Sequence, residues 1–386
     1  MQTHHVIKEM ETGLYIHVPY CRQKCLYCDF YSGGSRIADW NLFSDSIIRE
    51  LTQRKRELNR PPTTLYLGGG TPSLIPVSYF SKIVGSISAN YEISNLYEFT
   101  IEVNPEDVND DICSAWKDNG VNRISLGVQT MLDSELKSIG RRHDRHTIIK
   151  AYECLRRYFS NISIDLMFGL PGQTLKTYEQ SLLEIISLQP THLSSYSLML
   201  EEGTAMTLLV NAGKIKTSGE EEWIAMFEAT SNMLHEAGYR RYEVSNFALP
   251  GYESIHNTAY WKGSPYLGLG PAAHSYDGNN IRRMNPSDIK AYLRHFSTNE
   301  TPQTFYIEEV LSVNELREEM IMTRLRLSEG LNINEFKMRF GDLALRDLLT
   351  KTERLKRNKL LDINSEYIRI SEKGIALGND IMASLF

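Results

Sequence analysis

Short apolar runs alternate with longer stretches of helical period between residues 13 and 200. The apolar runs are rich in β-branched and aromatic residues, which is typical of strands, and the longer stretches repeat apolar residues at helical spacing. The six predicted strands cover residues 13–19, 64–69, 97–104, 123–129, 162–169 and 192–200. The clearest helices between them cover residues 40–58, 79–89 and 174–188. This order predicts βαβ units and a parallel sheet.

Beyond residue 200 the pattern predicts one helix, one strand and a loop-rich region. The helix covers residues 220–238, and its stripe of Trp223, Phe227, Thr230 and Leu234 predicts core packing. The strand covers residues 242–247. The loop-rich region follows and extends to residue 274, where polar and aromatic side chains concentrate.

The last hundred residues predict a separate helical module. The polar, proline-bearing stretch 297–302 has the composition of a linker. Helices are predicted over residues 316–326, 333–340 and 343–356, then a hairpin of 360–363 with 367–370, and then a closing helix. Helices around a hairpin predict a winged-helix-like module. Such modules can bind DNA, but the mixed charge here favours a packing or lid role. The predicted domains are therefore 1–285 and 286–386.

Composition and charge describe an ordinary globular protein. The 386 residues are 41% hydrophobic and 23% charged, and a chain of this length usually divides into a large and a smaller domain. A net charge of −6 argues against a nucleic-acid partner, because phosphate binding needs an accumulated basic surface. No stretch approaches the ~18 apolar residues of a membrane span, and the N-terminus lacks the apolar core of a signal peptide. We therefore expect a cytoplasmic protein without a membrane span.

Chemically unusual residues follow or end the predicted strands. They include a cysteine-rich loop after the first strand, three consecutive glycines from Gly68, and Gln129 at the end of the fourth strand. In (β/α) barrels the active site lies at the carboxyl ends of the strands, so a barrel places these residues around one cavity. Six strands predict an open (β/α)6 partial TIM barrel. A Rossmann-type sheet is the competing fold, but the glycine run lacks the GxGxxG pattern and does not follow the first strand.

Three of the five cysteines lie within eight residues, at Cys21, Cys25 and Cys28. Three thiolates can hold three corners of a [4Fe-4S] cluster and leave one iron open to a small molecule. A zinc site completed by His17 is an alternative. A disulfide framework is less consistent with an odd cysteine count in a long chain. Cys113 and Cys154 lie in predicted helices, where packed, inert thiols are expected.

The wider set of motifs resembles the HemN and HemW branch of the radical S-adenosylmethionine (radical SAM) superfamily. The matching segments are residues 15–21, 68–72, 102–105, 123–129, 140–143 and 165–173. The resemblance spans most of the first 275 residues. It implies that Cys21, Cys25 and Cys28 bind a [4Fe-4S] cluster, and that the open iron binds S-adenosylmethionine.

The same resemblance implies roles for further residues. Gly69, Gly70 and Thr71 would meet the methionine amino group of S-adenosylmethionine, although the glycines alone would also suit a tight turn. The other family positions that bind S-adenosylmethionine are Glu102, Gln129, Arg141 and Asp165. Outside this context each charged residue would be read as a surface or ion-pair group. Tyr15 and Tyr27 would pack beside the cluster and the cofactor, with simple core packing as the alternative.

Two features favour the HemW side of the branch. HemN-type enzymes carry a further cysteine two positions after the third, and here that position is Phe30. Residues 256–261 match the HNxxYW motif of HemW, a family regarded as haem chaperones. Histidine is a common haem ligand, so within the resemblance His256 is expected to contact haem. In an unrelated loop it would be read as a hydrogen-bonded structural histidine.

The resemblance predicts a haem chaperone that passes haem to an acceptor protein, with an electron donor for its cluster. The first alternative is an anaerobic coproporphyrinogen III dehydrogenase, in which a radical abstracts hydrogen from each reacting propionate and decarboxylation leaves vinyl groups. The second alternative is a zinc-bearing interaction module, which would keep the cysteines and none of the other motifs.

Overall fold

The computed structural model describes residues 11–34, 38–297 and 304–386. Its strands form a twelve-stranded, a three-stranded and a two-stranded sheet. The strands are β1 (Gly13–Val18), β2 (Tyr20–Cys21), β3 (Gly33–Gly34), β4 (Thr64–Gly69), β5 (Glu98–Val103), β6 (Arg123–Gln129), β7 (Asn161–Phe168), β8 (His192–Ser197), β9 (Arg240–Arg241), β10 (Asn246–Ala248), β11 (Tyr266–Leu269), β12 (His274–Tyr276), β13 (Ile281–Met284), β14 (Ile307–Val310), β15 (Leu331–Asn332), β16 (Leu361–Ile363) and β17 (Tyr367–Ile370).

The helices alternate with the strands of the large sheet and then dominate the C-terminal part. They are α1 (Trp40–Arg54), α2 (Val77–Asn90), α3 (Asp110–Asp118), α4 (Asp133–Ser138), α5 (Arg145–Leu155), α6 (Leu175–Leu188), α7 (Ala205–Asn211), α8 (Glu220–Glu236), α9 (Ile255–Trp261), α10 (Ile289–Ser297), α11 (Val313–Arg326), α12 (Ile333–Arg357) and α13 (Gly378–Ala383). No helix in the described ranges is both long and apolar enough to cross a membrane.

The centre of the large sheet is parallel, as the sequence predicts. Strands β1, β4, β5, β6, β7 and β8 are the six predicted strands, and each pairs in parallel with its neighbour in that order. The sheet order runs from β14 at one edge to β9 at the other, and no pairing among the described residues joins those edges. The predicted open barrel is confirmed.

A seventh parallel strand was not predicted. Strand β11 pairs in parallel with β1, where the sequence predicts loops. The hydrophobic periodicity does not reveal this strand, because it has only four residues and contains Gly268. That glycine is required, since a Cβ there would lie 1.9 Å from the carbonyl oxygen of His274. The predicted strand 242–247 is also shorter than expected, because only β10, from Asn246, pairs with β8.

Local sequence signals explain the helices that cover the sheet. Helix α1 begins after Asp39, whose side chain accepts a hydrogen bond from the Leu42 amide at 2.9 Å. Its residues Phe43, Ile47 and Leu51 recur at helical spacing and are fully buried in the main core. The stripe on α8 also packs against this core, as predicted.

The interior of the barrel is polar instead of filled with aliphatic side chains. Alternate residues of a strand point to the same face, and on β6 the residues Arg123, Ser125 and Gln129 face the interior cavity. Asp165 on β7 and Ser194 on β8 face it as well. A typical TIM barrel packs this space with branched aliphatic residues. The polar lining therefore marks the interior as a binding site.

The C-terminal residues form a second apolar core. Its members come from α11, α12, α13 and the three-stranded sheet β15–β17–β16, and they include Phe336, Leu348 and Ile368. The two predicted helices 333–340 and 343–356 appear as α12, which is kinked at Gly341 with φ 85°. The domain boundary at residue 285 stays a prediction. Most of the predicted linker, residues 298–302, lies outside the described residues.

Candidate functional site

A cavity of about 480 Å³ lies inside the barrel and opens at the carboxyl ends of its strands. All predicted site residues except Tyr15 and His256 line it. The predicted residues in its lining are Cys21, Cys25, Tyr27, Cys28, Gly69, Gly70, Thr71, Glu102, Gln129, Arg141 and Asp165. The fold thus brings together side chains that are far apart in sequence, because the carboxyl ends of parallel strands share one edge.

The cysteine loop is held in place by its backbone and by a small apolar cluster. The Leu26 amide donates to the Ile139 carbonyl at 3.1 Å, and the Leu26 carbonyl accepts from the Met206 amide at 2.8 Å. Leu26 and Tyr27 pack against the buried Ile139 and Met206. The loop is therefore fixed by contacts that do not involve its cysteines, and the three cysteines are free thiols.

Each thiol environment suits a soft metal cluster. The Thr71 hydroxyl lies 3.4 Å from Cys21 Sγ, and Arg141 Nη1 lies 3.4 Å from Cys25 Sγ. Burial raises the pKa of the Cys28 thiol to about 11. A buried thiolate needs a compensating positive charge, and bound metal supplies one.

The structure does not assemble the alternative zinc site. One nitrogen of His17 is 3.1 Å from the Tyr15 hydroxyl, and the other is 2.9 Å from the Tyr31 carbonyl oxygen. Both ring nitrogens are thus engaged away from the thiols. Within the described ranges, no three histidine, cysteine or acidic side chains lie close enough to hold a single metal ion.

Gly69 and Gly70 are required by close packing within the protein. Gly69 has φ 109°, and a Cβ there would lie 2.6 Å from the His17 ring. A Cβ at Gly70 would lie 2.7 Å from the Tyr20 carbonyl oxygen. The glycines therefore let the end of β4 pack against the segment that leads into the cysteine loop, while their own backbone lines the cavity.

The carboxylate of Glu102 is fixed at both oxygens. Tyr66 donates its hydroxyl to Oε1 at 2.9 Å, and the Gly69 amide donates to Oε2 at 3.1 Å. Burial raises the pKa of Glu102 to about 7, and the nearby Asp165 adds to the increase. Burial also raises the pKa of Asp165, whose oxygens accept from the Ser125 hydroxyl at 3.0 and 3.2 Å. The cavity thus presents two oriented carboxyl groups of perturbed acidity.

Gln129 and Arg141 are placed by an irregularity at the end of β6. The register with β7 shifts between Gly127 and Gln129, and Gln129 has φ 72°. Glutamine rarely adopts this left-handed conformation, which costs about 1–3 kcal/mol and clusters at functional sites. Arg141 donates through Nη2 to the Gly127 carbonyl, so the irregular strand end also orients the guanidinium.

The two predicted residues outside the lining are placed differently. Tyr15 lies on β1 beside His17. His256 is 1% exposed and lies on α9, where Nδ1 is 2.8 Å from the Thr64 hydroxyl and Nε2 is 2.8 Å from the Tyr260 hydroxyl. Thr64 begins β4, so His256 lies at the end of the barrel opposite to the cysteine loop. The structure thus gives His256 the surroundings of a hydrogen-bonded structural histidine.

Sequence reasoning missed several polar residues of the cavity, among them Tyr66, Arg123 and Asn257. Tyr66 lies in a strand that reads as apolar, Arg123 begins β6, and Asn257 follows His256 on α9. Arg123 is buried, and its Nε has no hydrogen-bond partner in the part of the chain that the structure describes. The sequence signal that could have identified Arg123 is a charged residue at the start of a strand that is otherwise mostly apolar.

Exposed apolar side chains also line the cavity. Phe30 is 63% exposed, Met199 is 58% exposed and Tyr196 is 41% exposed, and all three belong to the lining. We refer to Phe30, Tyr196 and Met199 as the apolar rim. Large exposed apolar groups beside a cavity are typical of binding sites.

Comparisons with protein-family models identify two segments. Residues 15–185 match the model of the Radical SAM superfamily, and residues 311–377 match the model of the HemN C-terminal domain. The first segment contains the cysteine loop and strands β4 to β7, which carry most of the other cavity residues, whereas β8 and α9 lie beyond it. The second segment supplies most of the C-terminal core.

Curated relatives cover nearly the whole chain. The "Heme chaperone HemW" of Lactococcus lactis is 34% identical over 368 residues, which cover 95% of each chain. That of Bacillus subtilis is 33% identical and covers 96% of this chain and 98% of its own. A solved structure entitled "Coproporphyrinogen III oxidase (HemN) from Escherichia coli is a Radical SAM enzyme" superimposes with a TM-score of 0.83 over 98% of this chain and 90% of that one, at 22% identity. This last likeness shows a shared fold.

Proposed function

The chain belongs to the HemW family of radical SAM proteins, and on that premise we propose that it binds haem and transfers it to an acceptor protein. Cys21, Cys25 and Cys28 would hold a [4Fe-4S] cluster, and S-adenosylmethionine would occupy the rest of the cavity. The acceptor protein, an electron donor for the cluster and a cytoplasmic location are further parts of the proposal.

The cavity residues fit these cofactors. The cluster needs thiolates on a fixed loop, and the loop is fixed by the contacts of Leu26. S-adenosylmethionine carries a carboxylate and ribose hydroxyls. Arg141 suits the carboxylate, while Glu102 and Asp165 suit the hydroxyls. When bound, the cluster supplies an electron to its ligand; the protein residues bind, orient and exclude water.

The apolar rim is the observation that carries the haem proposal. Haem has a flat apolar body, which aromatic side chains can stack against, and thioether sulfur is a known ligand of haem iron. Phe30 and Tyr196 supply aromatic rings, and Met199 supplies a thioether. Phe30 also stands where the pattern of HemN enzymes has a fourth cysteine, so the rim favours the carrier over the dehydrogenase.

One preparation tests the proposed function against its alternatives. The protein is reconstituted anaerobically with iron and sulfide, and samples are then titrated with haem and supplied with coproporphyrinogen III. We expect a saturable Soret band at one haem per chain and no conversion of coproporphyrinogen. Conversion would identify a dehydrogenase, whereas metal analysis that finds zinc without iron would support the zinc module.

Replacing the rim residues should weaken haem binding. Phe30→Ser and Met199→Ser each remove apolar contact area, and a buried side chain of this size contributes about 1.5–3 kcal/mol. We therefore expect the haem dissociation constant to rise about tenfold or more in each variant. Leu208→Ser is the matched control, because Leu208 is 65% exposed but lies outside the cavity lining. Equal affinity in all three variants would place haem elsewhere on the protein.

The expected contact between His256 and haem stays a prediction. It requires a ring nitrogen to leave Thr64 or Tyr260, and it requires α9 to move out of the barrel end. The haem titration of a His256 variant tests this contact directly.

A further inference from the structure

Helix α9 closes the end of the barrel opposite to the cysteine loop. Its first turn is held by Glu98, the first residue of β5, whose carboxylate accepts from the Ile255 amide at 2.6 Å and the Ser254 hydroxyl at 3.2 Å. His256 joins the same helix to the first residue of β4. The helix also contributes Asn257 to the cavity lining. The segment that carries the HNxxYW motif is therefore the floor of the cavity.

His256 is packed too tightly in this floor to act as an accessible ligand. Both of its ring nitrogens are hydrogen-bonded, and the Cβ that a larger residue would add at Gly13 would lie 3.2 Å from its Cε1. Its ring stacks on Tyr66 with a centroid distance of 5.0 Å and an interplanar angle of 25°. Tyr66 is thus held between the floor and the cavity.

Tyr66 connects this stack to the cofactor cavity. Its hydroxyl donates to Glu102 Oε1 at 2.9 Å, and the other oxygen of Glu102 accepts from the Gly69 amide. A Cβ at Gly68 would lie 2.9 Å from both Tyr66 Cε1 and Glu102 Oε1, so the two side chains fill the space above this glycine. The orientation of Glu102 therefore depends on the position of the Tyr66 ring.

We propose that His256 is a positioning residue for S-adenosylmethionine: its ring fixes Tyr66, and Tyr66 in turn orients the carboxylate of Glu102 toward the cofactor. The inference rests on the proposed function in one respect, namely that Glu102 contacts S-adenosylmethionine. Under this inference, the histidine of the HNxxYW motif positions the residues that contact S-adenosylmethionine and does not ligate the haem iron. Haem binding at the rim then requires no group from α9.

A double-mutant cycle tests this connection. Tyr66→Phe keeps the stacked ring and removes the hydrogen bond to Glu102, whereas His256→Asn removes the stack. Each change should raise the dissociation constant of S-adenosylmethionine about tenfold, as expected for a lost hydrogen bond to a carboxylate. The double variant should bind no more weakly than either single variant, because both changes remove the same constraint. Binding is measured by equilibrium dialysis on anaerobically reconstituted protein.

Two further variants separate positioning from folding and from iron ligation. His256→Phe keeps a ring above Tyr66 and has no nitrogen, so it should restore most of the S-adenosylmethionine affinity that His256→Asn loses. Tyr292→Phe is the control for stability, because Tyr292 is also buried and donates to a glutamate, Glu50, at 2.7 Å, but lies outside the cavity lining. It should lower the melting temperature and leave S-adenosylmethionine binding unchanged.

Haem titrations on the same samples complete the test. Under the proposal, the Soret band and the haem affinity of both His256 variants remain within twofold of those of the wild type. Loss of the band with unchanged S-adenosylmethionine affinity would overturn the inference and make His256 a haem ligand. Strictly additive effects in the cycle would overturn it as well. A wild-type protein that binds no S-adenosylmethionine would overturn the proposed function, and the inference with it.

Discussion

Cys25→Ser is expected to leave the reconstituted protein without its iron-sulfur absorbance and without S-adenosylmethionine binding. A cluster held at three corners has no spare protein ligand, and among the described residues the two other cysteines, Cys113 and Cys154, lie outside the cavity lining. Serine has a much higher pKa than cysteine and is a harder ligand, so it does not replace the lost thiolate. Iron and sulfide content per chain, with the visible spectrum, measure the effect.

Cys154→Ser is the matched control for this loss. The thiol of Cys154 is buried 3.9 Å from that of Cys113, and both lie on helices that cover the sheet. The substitution should lower stability slightly because it buries a hydroxyl, while the iron content should stay at the wild-type value. Full iron in Cys25→Ser would show that this thiol is not a cluster ligand. Persistence of haem binding in that variant would show that the rim acts independently of the cluster.

The sequence predicts the barrel because its signals are local and repeated. Four of the six predicted strands end at glycine or a polar residue, and the long connections carry helical period. The carboxyl ends of parallel strands must meet, so Cys21, Glu102 and Gln129 could be assigned to one cavity without knowledge of any distance. Asp165 lies in the middle of its strand and was assigned by the family resemblance alone. The structure places all four in its lining.

The position of His256 could not be predicted in the same way. The motif follows a region without clear periodicity, and no rule says at which end of a barrel such a segment packs. Its surroundings come from long-range contacts to Thr64 and Glu98, the first residues of two strands. Strand β11 was missed for a related reason, because four residues that include a glycine carry too little pattern.

The polar barrel interior shows a further limit of sequence patterns. Tyr66 and Arg123 belong to strands whose neighbouring residues are apolar, so both were read as parts of ordinary strands. Their importance follows from which face of the strand they occupy and from what stands opposite. Tyr66 meets Glu102 on the adjacent strand, and this cross-strand pair exists only once the register of β4 against β5 is known.

Glu102→Gln is expected to stabilise the cofactor-free protein at pH 8 and to weaken S-adenosylmethionine binding. The carboxyl group titrates near 4.5 when exposed, whereas burial raises its pKa in the folded protein to about 7. Between these values the folded state keeps a proton that the unfolded state has released. The free energy of unfolding therefore falls as the pH rises from 4.5 to about 7, and above that pH the stabilising contribution of the bound proton is lost.

Glutamine does not ionise, so this loss should be absent in the variant. Its amide can still satisfy both neighbours, because the carbonyl oxygen can accept from Gly69 and the Tyr66 hydroxyl can accept from the amide nitrogen. We expect little difference in the free energy of unfolding at pH 5, and a gain of roughly 1–3 kcal/mol at pH 8. Urea unfolding at both pH values measures it. S-adenosylmethionine affinity should fall about tenfold or more, since the amide offers one acceptor where the carboxylate offers two.

Glu243→Gln separates the two effects. Glu243 is also buried and its pKa is also raised by burial, but it lies outside the cavity lining. This control should therefore gain stability at pH 8 and keep its S-adenosylmethionine affinity. A stability difference for Glu102→Gln that does not change between pH 5 and pH 8 would contradict the raised pKa. Unchanged S-adenosylmethionine affinity would show that Glu102 does not contact the cofactor. The contacts that Glu102 makes with Tyr66 and Gly69 would then have no role in cofactor binding.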